Sequence, residues 1–212
     1  DMITLDLEMP IMDGLEALPQ LKKINPDAVI LMVSAHTTTG AQITIKALAA
    51  GAHDFIAKPE CPTLDESKAK IKQQLSPILR SVISRFRIRA TLNESRAGTN
   101  LVSTQPSDTV KQTRESISER MAKITQSSQP EIVAIGISTG GPQALTKVIP
   151  RLPGSLKIPV VIVQHMPPLF TKALADSLSK ISSLNIVEAN HDQTLEPGHV
   201  YIAPGGKQMK II

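Results

Sequence analysis

Apolar runs without alternation constrain this chain more than any other feature. Ala28–Ser34 and Ile158–Val163 are apolar at nearly every position. A strand with that pattern hides both faces, as happens when helices cover both sides of a parallel sheet. Helix-period segments sit between such runs. Asp13–Ile24 spaces Leu15, Leu18, Leu21 and Ile24 and ends at Asn25-Pro26, while Thr39–Ala50 is followed by Gly51, a left-handed stop. The first piece therefore reads as strand Met2–Leu7, helix, strand Ala28–Ser34, helix, strand Asp54–Ala57. The second reads as strand 132–137, helix 142–149, strand 158–163, helix 170–181 and strands 185–189 and 199–203. His199–Ala203, with Pro204-Gly205-Gly206 and Met209–Ile212 behind it, suggests a hairpin on the sheet edge.

Between the pieces the pattern changes. A helix is expected from Ser67 to about Arg87, with Pro77 kinking or dividing it. Residues 88–129 are rich in Ser, Thr, Gln, Asn and Arg and lack a sustained apolar period. That composition buries too little surface to offset its ordering entropy and reads as a mobile linker, with room for one short helix at Val110–Ile124. The expected division is residues 1–87, a linker at 88–130, and residues 131–212. Each α/β piece is shorter than the usual domain of roughly 100–150 residues. The chain opens on Asp1, directly on a strand, and stops at Met209-Lys210-Ile211-Ile212. It is read as two domains truncated at opposite ends, whose open sheet edges would leave this piece poorly stable and inactive alone.

Composition narrows the function classes. With 3 Phe, 1 Tyr and no Trp the cores must be aliphatic, and the lone Cys61 permits no internal disulfide, which fits a reducing, cytoplasmic setting. No apolar run approaches the ~18 residues of a membrane span. The net charge of +4 invites a nucleic-acid reading. Residues 80–129 alone hold nine Lys and Arg against four Asp and Glu, so the basic balance sits in the linker, without interleaved aromatics for base stacking.

Two groups of residues carry chemistry. Asp6 closes the first strand, Ser34 the second, and Lys58-Pro59 follows the third. Carboxylate, hydroxyl and ammonium thus meet at strand carboxyl ends, where open parallel sheets hold ligands. The set suits phosphoryl uptake: Asp6 attacks, Ser34 and Lys58 hold phosphate oxygens, and a metal ion neutralises charge. Taken singly, an acid there is usually a turn former and a lysine usually solvated.

The second group begins at Gly136-Ile137-Ser138-Thr139-Gly140, which fits the nucleophile-elbow spacing G-x-S-x-G. His165 follows the next apolar run and is the base candidate. Gly140, Gly141 and the helix start offer N–H groups to an oxyanion. The plainer alternative makes Ser138 a helix cap ahead of Pro142. Asp176 falls in a helix and Asp192 in a loop, and neither is assigned as an orienting acid.

Asp6 with Met9-Pro10 and Asp13-Gly14, then Ser34-Ala35, Gly51-Ala52, Phe55 and Lys58-Pro59, resemble the receiver domain of bacterial response regulators, a flavodoxin-like fold. The resemblance implies Asp6 as phosphoacceptor, Ser34 and Lys58 as switch residues, and Phe55 as a rotating aromatic. It also implies Mg²⁺ for phosphorylation, held by an acidic pair that would precede residue 1. Residues 134–142, Gln164–Pro168, Phe170-Thr171 and Pro197–Gly205 resemble the catalytic domain of the protein-glutamate methylesterase (CheB) family of bacterial chemotaxis. That resemblance implies Ser138 as nucleophile, His165 as general base, Thr139 beside the pocket, and an Asp beyond residue 212 as third member. It implies no cofactor for the esterase. The substrates implied are chemoreceptor methyl-glutamates and certain glutamines, the phosphodonor a histidine kinase. The alternative is a response regulator whose second domain binds without catalysing.

Overall fold

A computed structural model describes residues 1–97 and 130–212. The first half is a three-stranded parallel sheet of β1 (Met2–Asp6), β2 (Val29–Ser34) and β3 (Asp54–Ala57), in that order. Register sets Asp6 against Val33 and Ser34 against Ala57. The β2–β3 ladder runs on past β3, since the Lys58 N–H donates to the Ser34 carbonyl at 2.7 Å. Three strand ends therefore finish at one level.

Helix α1 (Gly14–Ile24) starts on a capping box: the Asp13 carboxylate takes the Glu16 N–H, and Glu16 returns to the Asp13 N–H. Gly14 has a second role. A Cβ there would collide with the Asp6 carbonyl oxygen, so only glycine lets this helix start lie against the end of β1. Helix α2 (Thr38–Ala49) is capped by the Thr37 hydroxyl and ends before Gly51, whose φ of 109° is the left-handed stop expected there.

Helix α3 (Leu64–Ala97) is one element. It starts earlier and ends later than the sequence suggested, and Pro77 does not divide it. The carbonyl that Pro77 frees belongs to Gln73, an exposed residue, so the lost hydrogen bond does not leave a buried group unpaired. The Ser76 hydroxyl adds a bond to the Lys72 carbonyl at 2.6 Å. Residues 88–97, assigned above to the linker, are thus helical. The helix considered at Val110–Ile124 lies outside the described residues.

The second half holds β4 (Val133–Ile137), α4 (Gly141–Val148) with a 3₁₀ turn at Ile149–Arg151, β5 (Val160–Gln164), α5 (Phe170–Ser179), β6 (Asn185–Glu188) and β7 (His199–Ile202). The strand order is β4-β5-β7-β6, and all pairs are parallel. This corrects the hairpin expectation. Val200, Tyr201 and Ile202 are fully buried because β7 lies between two neighbours, and residues 209–212 form no strand. The chain turns away at Gly206, where φ is 73°.

Residues Asp1–Val82 and Ile132–Ile212 form one compact unit, and Ile83–Glu131 a second. Within the first unit the two sheets share a core that runs from Leu5 to Ile202 and is almost wholly aliphatic. Helix α2 packs on α5, and the Phe55 ring stacks on Phe170 at 4.4 Å between centroids.

Candidate functional site

At the carboxyl end of the first sheet, the Lys58 ammonium lies 2.8 Å from Asp6 Oδ2, while the Glu8 N–H donates to Oδ1 at 3.2 Å. Partial burial pushes the Asp6 carboxyl up, but the Lys58 hydrogen bond, the Glu8 and Leu7 amides and the Lys58 charge outweigh it and hold the group below its ordinary value. An ionised carboxylate with a cation beside it is poised as a nucleophile toward phosphorus.

Ser34 stands apart from that pair. It is fully buried, and the Thr44 hydroxyl lies 2.8 Å from its Oγ and 2.7 Å from the Gly40 carbonyl. Phe55 is buried and stacked on Phe170. Among the described residues no group of three His, Cys, Asp or Glu side chains is placed to hold a metal ion. The Asp6 carboxylate is already paired with the Lys58 ammonium. A Mg²⁺ site does not fit these residues alone.

In the second half, β4 and β5 deliver Ser138 and His165 to one cleft of about 680 Å³, lined also by Thr139, Gln164 and Met166. The capping alternative fails for Ser138. The N-cap of α4 is Gly140, at φ 72°, and no side chain caps that helix. The Ser138 side chain is exposed, and among the described residues its hydroxyl makes no hydrogen bond, to His165 or to any other group. The turn is closed by main chain instead: the Gly141 N–H donates to the Ser138 carbonyl at 2.8 Å. Gly141 is therefore not free for an oxyanion, and of the two amides expected there only that of Gly140 is left outside the turn's own hydrogen bonding.

That amide has a partner the sequence did not disclose. Asp54 on β3 takes the Gly140 N–H on Oδ2 at 3.3 Å and the Phe55 N–H on Oδ1 at 2.9 Å. Burial raises its carboxyl to about 6, against the opposing pull of the Phe55 and Gly140 amides and the nearby His165. Asp54, Phe55, His36 and Lys58 line the same cleft as Ser138 and His165. The one available signal was an acid inside a short strand, a position acids usually avoid. Asp176 pairs with Lys172, and Asp192 with His191, on exposed surface outside the cleft.

Fold and sites together define a two-part α/β protein in which Lys58, the partner of Asp6, also lines the serine–histidine cleft. Residues 1–71 match the response regulator receiver domain family, and residues 133–212 match the CheB methylesterase family. A protein-glutamate methylesterase/protein-glutamine glutaminase of Desulfotalea psychrophila is 44% identical over all of this chain and 56% of its own length. Its namesake in Bacillus subtilis is 40% identical over all of this chain and 56% of its own length. The crystal structure of the Thermotoga maritima CheB methylesterase catalytic domain is 51% identical over 37% of this chain and 41% of that one, with a TM-score of 0.35. The chain spans about half the length of the curated relatives it matches.

Proposed function

We propose that the full-length protein hydrolyses glutamate methyl esters on chemotaxis receptors, and deamidates receptor glutamines, under control of phosphorylation at Asp6. One observation carries this reading. An unpartnered Ser138 hydroxyl and His165 leave adjacent parallel strands into one cleft, and the receiver half lines that same cleft.

Ser138 Oγ attacks the ester carbonyl while His165 takes its proton and returns it to leaving methanol. Water, deprotonated by His165, then releases the glutamate carboxylate. With a glutamine substrate the leaving group is ammonia. The Gly140 N–H serves the oxyanion once Asp54 has moved off it. Among the described residues two acids line the cleft, Asp54 and Glu60, and neither bonds the imidazole. The acid that fixes the His165 tautomer is assigned to the rest of the full-length protein.

Phosphorylation supplies the control. A phosphoryl group on Asp6 keeps Lys58 as its partner and draws the Ser34 hydroxyl away from Thr44. Space vacated beside Ser34 admits the Phe55 ring. Its stacking on Phe170 is lost, and the population shifts toward a cleft that a receptor helix can enter. A histidine kinase is the proposed phosphodonor, with Mg²⁺ as its requirement in the full-length protein, and the proposed setting is the cytoplasm. No helix among the described residues is long and apolar enough to cross a membrane.

The test is methanol release from methyl-esterified receptors by the full-length protein. Ser138→Ala and His165→Ala should each remove it by a factor of about 10³ or more while circular dichroism stays unchanged. Near-normal turnover in Ser138→Ala would sink the assignment.

A further inference from the structure

Gln164 is the last residue of β5, directly before His165, and only 5% of it is exposed. Its Nε2 donates to the Ser138 carbonyl at 3.0 Å and to the His165 carbonyl at 3.4 Å. One side-chain amide thus directs its hydrogens at the main chain of the two residues whose side chains line the reactive cleft. The strand ladder between them is slack at this level, since the His165 N–H reaches the Ile137 carbonyl at only 3.3 Å. Among the described residues no main-chain hydrogen bond beyond Ile137 joins the serine turn to the histidine loop, and the Gln164 amide spans that gap.

The seat of this amide is built. Gly141 lies under it, and a Cβ at that position would collide with Gln164 Oε1. Oε1 itself is buried without a hydrogen-bond partner. Buried polar atoms are normally paired, so an unpaired acceptor is a liability that an apolar residue of the same size would not carry. What distinguishes Gln from Leu at 164 is the donor end, and that end faces Ser138 and His165.

We infer that Gln164 is a positioning residue: its amide clamps the nucleophile turn to the histidine loop and sets the spacing of Ser138 Oγ from the imidazole. This rests on the assignment of Ser138 and His165 as nucleophile and base. A clamp of this kind acts on the chemical step and leaves substrate binding alone. Its loss should lower kcat with KM nearly unchanged. A shift near 1 Å in such a pair costs on the order of 10²-fold in rate.

The experiment uses the full-length protein with Gln164→Leu and Gln164→Glu. Three quantities are measured: kcat and KM for methanol release, the rate of covalent labelling of Ser138 by phenylmethylsulfonyl fluoride, and the far-ultraviolet circular dichroism. The expected result for Gln164→Leu is a folded protein whose kcat and labelling rate both fall by about 10²-fold, with KM within about threefold of wild type. A labelling rate within about threefold of wild type overturns the clamp. Should Gln164→Leu fail to fold, Gln164→Glu decides. Its carboxyl can donate only when protonated, so its labelling rate relative to wild type should fall as pH rises from about 5 to about 8. A ratio that does not change with pH overturns the inference. If wild type labels at Ser138 yet releases no methanol, the substrate assignment fails and the labelling ratio alone judges the clamp.

Discussion

The Asp54 carboxylate, on a strand of the receiver half, accepts a hydrogen bond at 3.3 Å from the N–H of Gly140, two residues past Ser138. Under the proposed chemistry, that amide is the one that serves the oxyanion. In this arrangement the receiver fills the position with a carboxylate of its own, the same group the proposed hydrolysis produces.

Asp54 should make stability depend on pH in a predictable direction. Burial holds its carboxyl at about 6 in the folded chain, against an ordinary value of 3.8. Between those values the folded state binds the extra proton. The contribution of this group is therefore most favourable below about pH 4 and is lost as pH rises through 6, by roughly 3 kcal/mol in all. Thermal unfolding of wild type and Asp54→Asn at pH 4 and pH 7 checks this. The Asn variant should gain on wild type toward pH 7, and an offset equal at both values would contradict it.

Asp6 has the opposite sign. Lys58 and two amides hold its carboxyl low despite partial burial, so its stabilising share is present above about pH 4 and is lost as acid protonates it. Asp6→Asn should abolish acid-labile phosphate after incubation with acetyl phosphate, while its unfolding temperature should move only slightly at pH 7. A solvent-facing pair contributes at most about 1 kcal/mol. Persistence of phosphate at the wild-type level would remove Asp6 as acceptor.

Phe55 couples the halves through its stack on Phe170. Phe55→Ala should destabilise the shared unit by about 3 kcal/mol, from lost burial and lost ring contact, and should raise methanol release without phosphorylation several-fold. A denaturant midpoint like that of wild type, with an unchanged basal rate, would place the coupling elsewhere.

Much of this arrangement was legible in the residues. Continuous apolar runs required parallel strands, and the strand ends placed Asp6 beside Lys58 and Ser138 beside His165, because periodicity is a local property. What failed was non-local. His199–Ile202 is short and ends near glycines, as an edge hairpin would, and only its pairing with both β5 and β6 shows an interior strand. Pro77 marks a break only if the freed carbonyl is buried, and exposure of Gln73 is a tertiary fact. Gln164 and Asp54 gained their meaning from main-chain atoms of other segments, which no window along the chain contains.

The coupling of crevice to cleft is tested most directly by methanol release from methyl-esterified receptors, measured with and without acetyl phosphate and Mg²⁺. The comparison is between the full-length protein and its Asp6→Asn variant. Wild type should accelerate at least several-fold when phosphorylated, while Asp6→Asn stays at the unphosphorylated rate. Equal acceleration of both, or none in wild type carrying phosphate on Asp6, would contradict the account.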